Sequence, residues 1–311
     1  MNLNHTENKS LADFIQNTLS ENISSIRIEL DGVIQNSDIE FVHRIRIAIR
    51  RYRNNLQIFK SFGNQELFDS LQGLHQHTNE FSALLAQARD LDIQHHLIEL
   101  LFDSYDSTSK TSLLNYFSKH RQNVQILLSD LINNANNVHF INEYDISQDI
   151  SKSTESAILV ASGPLKAVSS SIAMSISLLN PMSGITDAEE IHRFRKSIRR
   201  VRYTLECFQN QFDFPTIQMI EKSHQIQDLL GDLHDLDMLK TSTDQINNLT
   251  KSDIEFMNQI IKGKREPLYQ TFLLSLQSGE IMDFLHQLLH RFEQEIKEST
   301  GNNHYENRTY R

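Results

Sequence analysis

The stretch HRIRIAIRRYR, residues 43–53, returns as HRFRKSIRRVR, residues 192–202. Set in their surroundings, SDIEFVHRIRIAIRRYRNNLQIF (37–59) and TDAEEIHRFRKSIRRVRYTLECF (186–208) are identical at eleven of 23 positions. A second block follows at nearly the same offset, LLAQARDLDIQ (84–94) against LLGDLHDLDML (229–239). A weaker third match pairs His120 with Lys264 and Arg121 with Arg265. A chain that repeats itself after about 145 residues is a duplicated unit, so one fold must serve both copies.

That fold is helical. Among 311 residues there are only nine Gly and four Pro, too few for the many tight turns of a sandwich or barrel, while 39% hydrophobic residues suffice for a sizeable core. Apolar spacing at three and four predicts helices over 10–34, 38–61, 65–87, 91–103 and 109–133 in the first copy. In the second it predicts 152–179, 187–210, 215–232, 236–247, 253–276 and a last one over 280–297. Ser37 with Glu40, and Thr186 with Glu189, have the S/T-x-x-E spacing that starts a helix, and Pro164 and Pro267 are expected to bend theirs. We read one domain over 8–298, built of repeats 8–148 and 149–298, with a polar connector at 133–148 and a flexible tail at 299–311.

The single cysteine, Cys207, forms no intramolecular disulfide and no paired-thiolate zinc site. The N-terminal MNLNHTENKSLADFIQ lacks an apolar signal stretch, and no run approaches the roughly 18 apolar residues of a membrane span, so a cytoplasmic protein is expected. The net charge of −10 taken alone argues against polyanions. Its distribution reverses that inference, because eleven of the 30 cationic side chains lie in the two windows 43–53 and 192–202, which hold no Asp or Glu.

At 100° per residue from His43, Arg46, Arg50 and Arg53 fall at about 300°, 340° and 280°, while Ile45, Ile49, Tyr52, Leu56 and Phe59 gather on the opposite side. From His192 the same angles put Arg195, Arg199 and Arg202 on the polar face, with Lys196 and Tyr203 beside them. Arg44, Arg51, Arg193 and Arg200 form a separate flank. Guanidinium groups held this close repel one another and call for acids from another helix or for an anionic ligand. Their rigid fork and permanent charge suit phosphate. One such stripe alone reads as a solvated helix face; its duplication at the same angular positions favours a function.

The RDLD and HDLD segments admit two readings. Asp90 with Asp92, and Asp235 with Asp237, could hold a divalent ion or act as acid and base. The preferred reading is structural: one Asp caps a helix start and another braces Arg51 or Arg200 from the neighbouring helix. His75, His77, His95 and His96 include no pair at four-residue spacing, and no metal or cofactor is expected.

At these residues the sequence resembles the CHAD family, the conserved histidine α-helical domain. The signature H-x-x-R-x-x-x-R-R-x-R stands as His43, Arg46, Arg50, Arg51, Arg53 and as His192, Arg195, Arg199, Arg200, Arg202, and is followed by L-G-x-x-x-D-x-D at 230–237. The first copy departs from it with Ala86 in place of Gly, and with Asn54 opposite Tyr203. The resemblance spans about 10–298. It implies an all-α fold of two repeated helical bundles related by a pseudo-twofold axis, with the basic stripes facing a shared groove. It further implies a stand-alone, non-enzymatic module for inorganic polyphosphate, associated with polyphosphate granules.

The expected polyphosphate ligands are His43, Arg46, Arg50, Arg53, His192, Arg195, Lys196, Arg199 and Arg202, with Arg44, Arg51, Arg193, Arg200, Arg121, Lys264 and Arg265 as a secondary basic set. A Mg-dependent polyphosphate hydrolase or transferase is the alternative, resting on the paired aspartates. Binding of single-stranded nucleic acid is a third reading, disfavoured because only Tyr203 offers an aromatic ring on the basic face.

Overall fold

The computed structural model describes residues 11–35, 38–61, 69, 71–103, 108–133, 163–179, 188–212, 214–246 and 249–301, and the regular elements among them are all α-helices. The first copy contributes α1 (Leu11–Gln35), α2 (Ile39–Ser61), α3 (Gln72–Leu101) and α4 (Thr108–Asn133). The second contributes α5 (Gly163–Leu179), α6 (Ala188–Phe208), α7 (Ile217–Asp244), α8 (Lys251–Gln277) and α9 (Glu280–Gly301). None is long and apolar enough to cross a membrane.

Consecutive helices pack on one another, α1 on α2, α2 on α3 and α3 on α4, with α1 returning to α4. In the second copy α5, α6, α7 and α8 follow the same order, and α9 closes on α5. Between the copies, α2 packs on α6 and α3 on α7, so each of these helices meets its own sequence counterpart.

Two apolar clusters hold the copies together. The larger core includes Phe59 of α2 and its counterpart Phe208 of α6, whose rings meet edge to face at 6.4 Å, and Phe14 of α1 stacks on Phe208 at 5.6 Å. The smaller unites Ile98, Phe102, Leu113 and Phe117 of the first copy's α3–α4 hairpin with Leu236, Leu239, Met257 and Ile261 of α7–α8. The basic stripes lie where α2 and α6 cross.

The structure joins what the apolar pattern divides. The predicted 65–87 and 91–103 segments are one helix, α3, and 215–232 and 236–247 are one helix, α7. Phe81, Leu85 and Ala88 face the larger core, whereas Ile98 and Phe102 face the smaller, a turn of the apolar stripe by roughly 90° at 100° per residue. Ile226, Leu230 and Leu233 hand over to Leu236 and Leu239 in the same way. A stripe that changes face mimics a break.

The four signature aspartates therefore sit inside helices and cap no helix start. Helix α9 runs to Gly301, into the segment expected to be a tail. Pro164 stands in the first turn of α5, where its missing N–H costs nothing, and Pro267 lies inside α8 without ending it. Ser37, Thr186 and most of the expected connector lie outside the described residues; at α2 it is Asp38 whose Oδ1 accepts the Glu40 N–H at 2.9 Å.

Candidate anion-binding site

Burial follows the helical wheel. Ile45, Ile49, Tyr52, Leu56 and Phe59 are buried on α2, as are Ile191, Phe194, Ile198, Val201 and Leu205 on α6. Driving these faces into the core turns Arg46, Arg50 and Arg53 toward Lys196, Arg199 and their neighbours, and leaves Arg44, Arg51, Arg193 and Arg200 on the exposed flanks.

A cavity of about 430 Å³ opens between them. Arg50, Arg53, Asn54 and Gln57 line it from α2, Lys196, Arg199, Arg200 and Tyr203 from α6, and His75 and Ser82 from α3. Five cations from two copies converge on it, and its lining residues include no carboxylate. Arg53 Nη1 donates to Ser82 Oγ at 3.2 Å, which aims the guanidinium along the wall.

The electrostatic strain is legible in the arginines. Burial, then the charge of Arg50, brings Arg199 down to about 10. Burial, then Arg50, does the same to Arg46, which also falls to about 10 even though Asp90 pulls the other way. Burial followed by Arg50 lowers Arg53 as well. These groups remain protonated at neutral pH and stay mutually repelling, so an anion entering the cavity relieves a cost already present in the fold.

Beyond the cavity the stripes run into acids. Arg46 Nη1 donates to Asp90 Oδ1 at 3.3 Å. Arg195 is lowered by burial, with Asp235 the largest opposing influence. Gly231 lies against Arg195, since a Cβ there would stand 3.6 Å from its Nη2, so the guanidinium rests on the bare backbone of α7. Asp235 is itself raised by burial and by Asp90, with Arg195 opposing. At this end each copy's own aspartate offsets the charge of its arginine, Asp90 that of Arg46 and Asp235 that of Arg195.

The histidines also stand at this end. His192 stacks on His234 with centroids 4.7 Å apart and planes at 26°. Burial, then Arg195 and His192, pushes His234 down to about 4. His43 is lowered by burial and then by Arg89. Both signature histidines are thus neutral packing groups beside the cations, outside the lining of the cavity.

Several expected residues have other partners. Arg202 is buried at 7% exposure and pairs with Glu206 at 3.3 Å, so it faces away from the cavity. Arg51 reaches the same Glu206 at 3.2 Å, from one copy to the other, and is not braced by a signature aspartate. Arg44 pairs with Glu29 at 2.8 Å and Arg193 with Glu190 at 3.8 Å. Arg121 is bound to Asp92 at 2.9 Å and Arg265 to Asp237 at 2.5 Å, matched pairs that tie α4 to α3 and α8 to α7. These two arginines act as internal struts, and Lys264 is exposed on α8. The signature aspartates lie beside Arg46, Arg195, Arg121 and Arg265 in place of the expected Arg51 or Arg200.

Sequence reasoning missed His75, Ser82, Asn54 and Gln57 as lining, and Arg89 and His234 as the groups facing the signature histidines. Arg89 and His234 occupy the same place in the two RDLD/HDLD blocks, and that equivalence was the available signal.

A family model described as CHAD domain matches residues 17–243. Among curated proteins none matches the chain. Among solved structures, the CHAD domain from the plant Ricinus communis is similar at 18% identity and TM-score 0.64, over 91% of this chain and 92% of that one. PptA from Streptomyces chartreusis is similar at 13% identity and TM-score 0.62, over 91% of this chain and 99% of that one. At these identities the likeness is one of fold.

Proposed function

The chain belongs to the CHAD domain family, and on that premise we propose that it binds inorganic polyphosphate in the basic cavity between α2 and α6. The observation that carries the reading is the convergence of Arg50, Arg53, Lys196, Arg199 and Arg200 on one cavity without a lining carboxylate. Repeating phosphates present evenly spaced oxygens to which forked guanidinium groups donate in pairs. Asn54, Gln57, Ser82 and Tyr203 supply neutral hydrogen-bonding groups along the same wall. The partner is a linear phosphate polymer, and association with polyphosphate granules follows from the same chemistry.

Binding without hydrolysis is favoured because the acids that a phosphohydrolase needs are engaged. Asp90 is on Arg46, Asp92 on Arg121 and Asp237 on Arg265, each within 3.3 Å. A gel shift with polyphosphate of defined length, repeated with single-stranded RNA at equal phosphate concentration, tests the reading. Retardation by polyphosphate that RNA fails to compete away supports it. Equal competition, or release of orthophosphate in the presence of Mg2+, overturns it.

A further inference from the structure

A second cavity, of about 580 Å³, shares one lining residue with the basic one, the buried Tyr203 that stands between them. It lies between α1, α2 and the end of α6, and its chemistry differs. Amides dominate it: Asn17, Asn22, Asn55, Gln209, Asn210 and Gln211, of which Asn55 Nδ2 donates to Asn22 Oδ1 at 2.9 Å. Its charged lining is Arg51 with Glu21 and Glu206, and Arg51 is already engaged by Glu206 at 3.2 Å. Such a wall repels phosphate and offers paired donors and acceptors to an uncharged polar group.

The two cavities follow one another along a single face of α6. Arg199 and Arg200 line the first, Tyr203 both, Glu206 and Asn210 the second. From Arg199 to Glu206 the helix rises about 10 Å at 1.5 Å per residue. A ligand spanning the Tyr203 boundary must therefore be a polyanion at one end and neutral and hydrogen-bonding at the other.

We propose that the paired cavities accept a nucleoside 5′-polyphosphate, its phosphates among the cations of the first and its nucleoside among the amides of the second. The inference rests on the phosphate-binding reading of the first cavity. Asn and Gln amides match the paired donor and acceptor of a base edge. The Glu21 carboxylate, exposed at the cavity wall, can accept from ribose hydroxyls, the task acids perform in dinucleotide sites. The volume is within the usual range of small-molecule sites, about 300–1,000 Å³. Phe14, which lines the cavity, gives it an apolar side.

The test compares ATP with inorganic tripolyphosphate, a probe of similar charge without a nucleoside, by titration calorimetry on the full chain. ATP is expected to bind about tenfold tighter, the yield of one or two net hydrogen bonds. Asn210→Trp, at an exposed position, fills the second cavity; it should abolish that advantage and leave tripolyphosphate unchanged, with the circular dichroism of the wild type. Glu21→Gln should weaken ATP several-fold; a gain would mean that the carboxylate only repels phosphate and would overturn the proposal. Equal affinity of ATP and tripolyphosphate for the wild type overturns it too, while leaving polyphosphate binding intact. If long polyphosphate, tripolyphosphate and ATP all fail to bind, both readings fall.

Discussion

Neutralising Arg199 should separate binding from stability, with opposite signs. Arg50, Arg195 and Arg46 surround it, and burial together with their repulsion holds its guanidinium at about 10 against an ordinary 12.5. At about 1.4 kcal/mol per pKa unit, the empty protein carries on the order of 3 kcal/mol of unfavourable environment at this one side chain. Solvent in the open cavity screens part of that. The folded-state pKa lies below the unfolded one, so the charge destabilises at all pH values under about 10. Arg199→Gln should leave the empty protein's melting temperature unchanged or raise it by about 2–4 °C. With saturating polyphosphate the order should reverse, because the variant loses a charge-assisted contact worth about 1.5–3 kcal/mol, roughly ten- to a hundredfold in affinity. Scanning calorimetry with and without polyphosphate reads both effects. A drop of more than about 4 °C in the empty variant, or an undiminished gain on adding polyphosphate, would refute the account of Arg199 as a strained ligand-binding cation.

Salt should act steeply: five cavity cations, each releasing about 0.7–0.9 counterions per contact, give a log–log slope of affinity on salt near −4, measurable by fluorescence titration, and a flat response contradicts phosphate binding. His234, held near 4 by burial and by Arg195, takes up its proton more readily when unfolded, so its stabilisation is present above about pH 6.5 and is lost as pH falls toward 4. The melting temperature of His234→Gln should accordingly fall less than that of the wild type across this window; parallel curves would count against the assignment. Gly32→Ala should cost about 1–3 kcal/mol in chemical denaturation, since a Cβ there would come within 2.1 Å of the Phe41 ring. Gly231→Ala, whose Cβ meets Arg195 at an ordinary 3.6 Å in mid-helix, should instead be neutral or stabilising by up to about 1 kcal/mol.

The helical fold and the buried face of the basic helices were legible, because the period of 3.6 is written in apolar residues that must be buried: Ile45, Ile49, Tyr52, Leu56 and Phe59 are. Helix continuity through 88–90 and 233–235 was hidden, since α3 and α7 serve two cores and their apolar stripes turn midway. At the site, angular position placed Arg50, Arg53, Lys196 and Arg199 together but could not tell which cations meet acids. Arg202 shares its angle with Arg53, yet Glu206 one turn later holds it inside. Arg121 and Arg265 look like free cations in sequence because their partners Asp92 and Asp237 lie 29 and 28 positions away. His75 and Ser82 enter the cavity only through the packing of α3 on α2.

Whether the two copies grip one polymer decides the account most directly. Stoichiometry and affinity for polyphosphate of defined length are to be measured for the wild type, for Arg50→Gln with Arg53→Gln, and for Lys196→Gln with Arg199→Gln. Because the second set of contacts becomes intramolecular once the first has formed, each double variant should retain wild-type helicity, keep one chain per protein and lose far more than half of the binding. Full affinity at half the stoichiometry in either variant would mean two independent sites and would contradict the shared cavity.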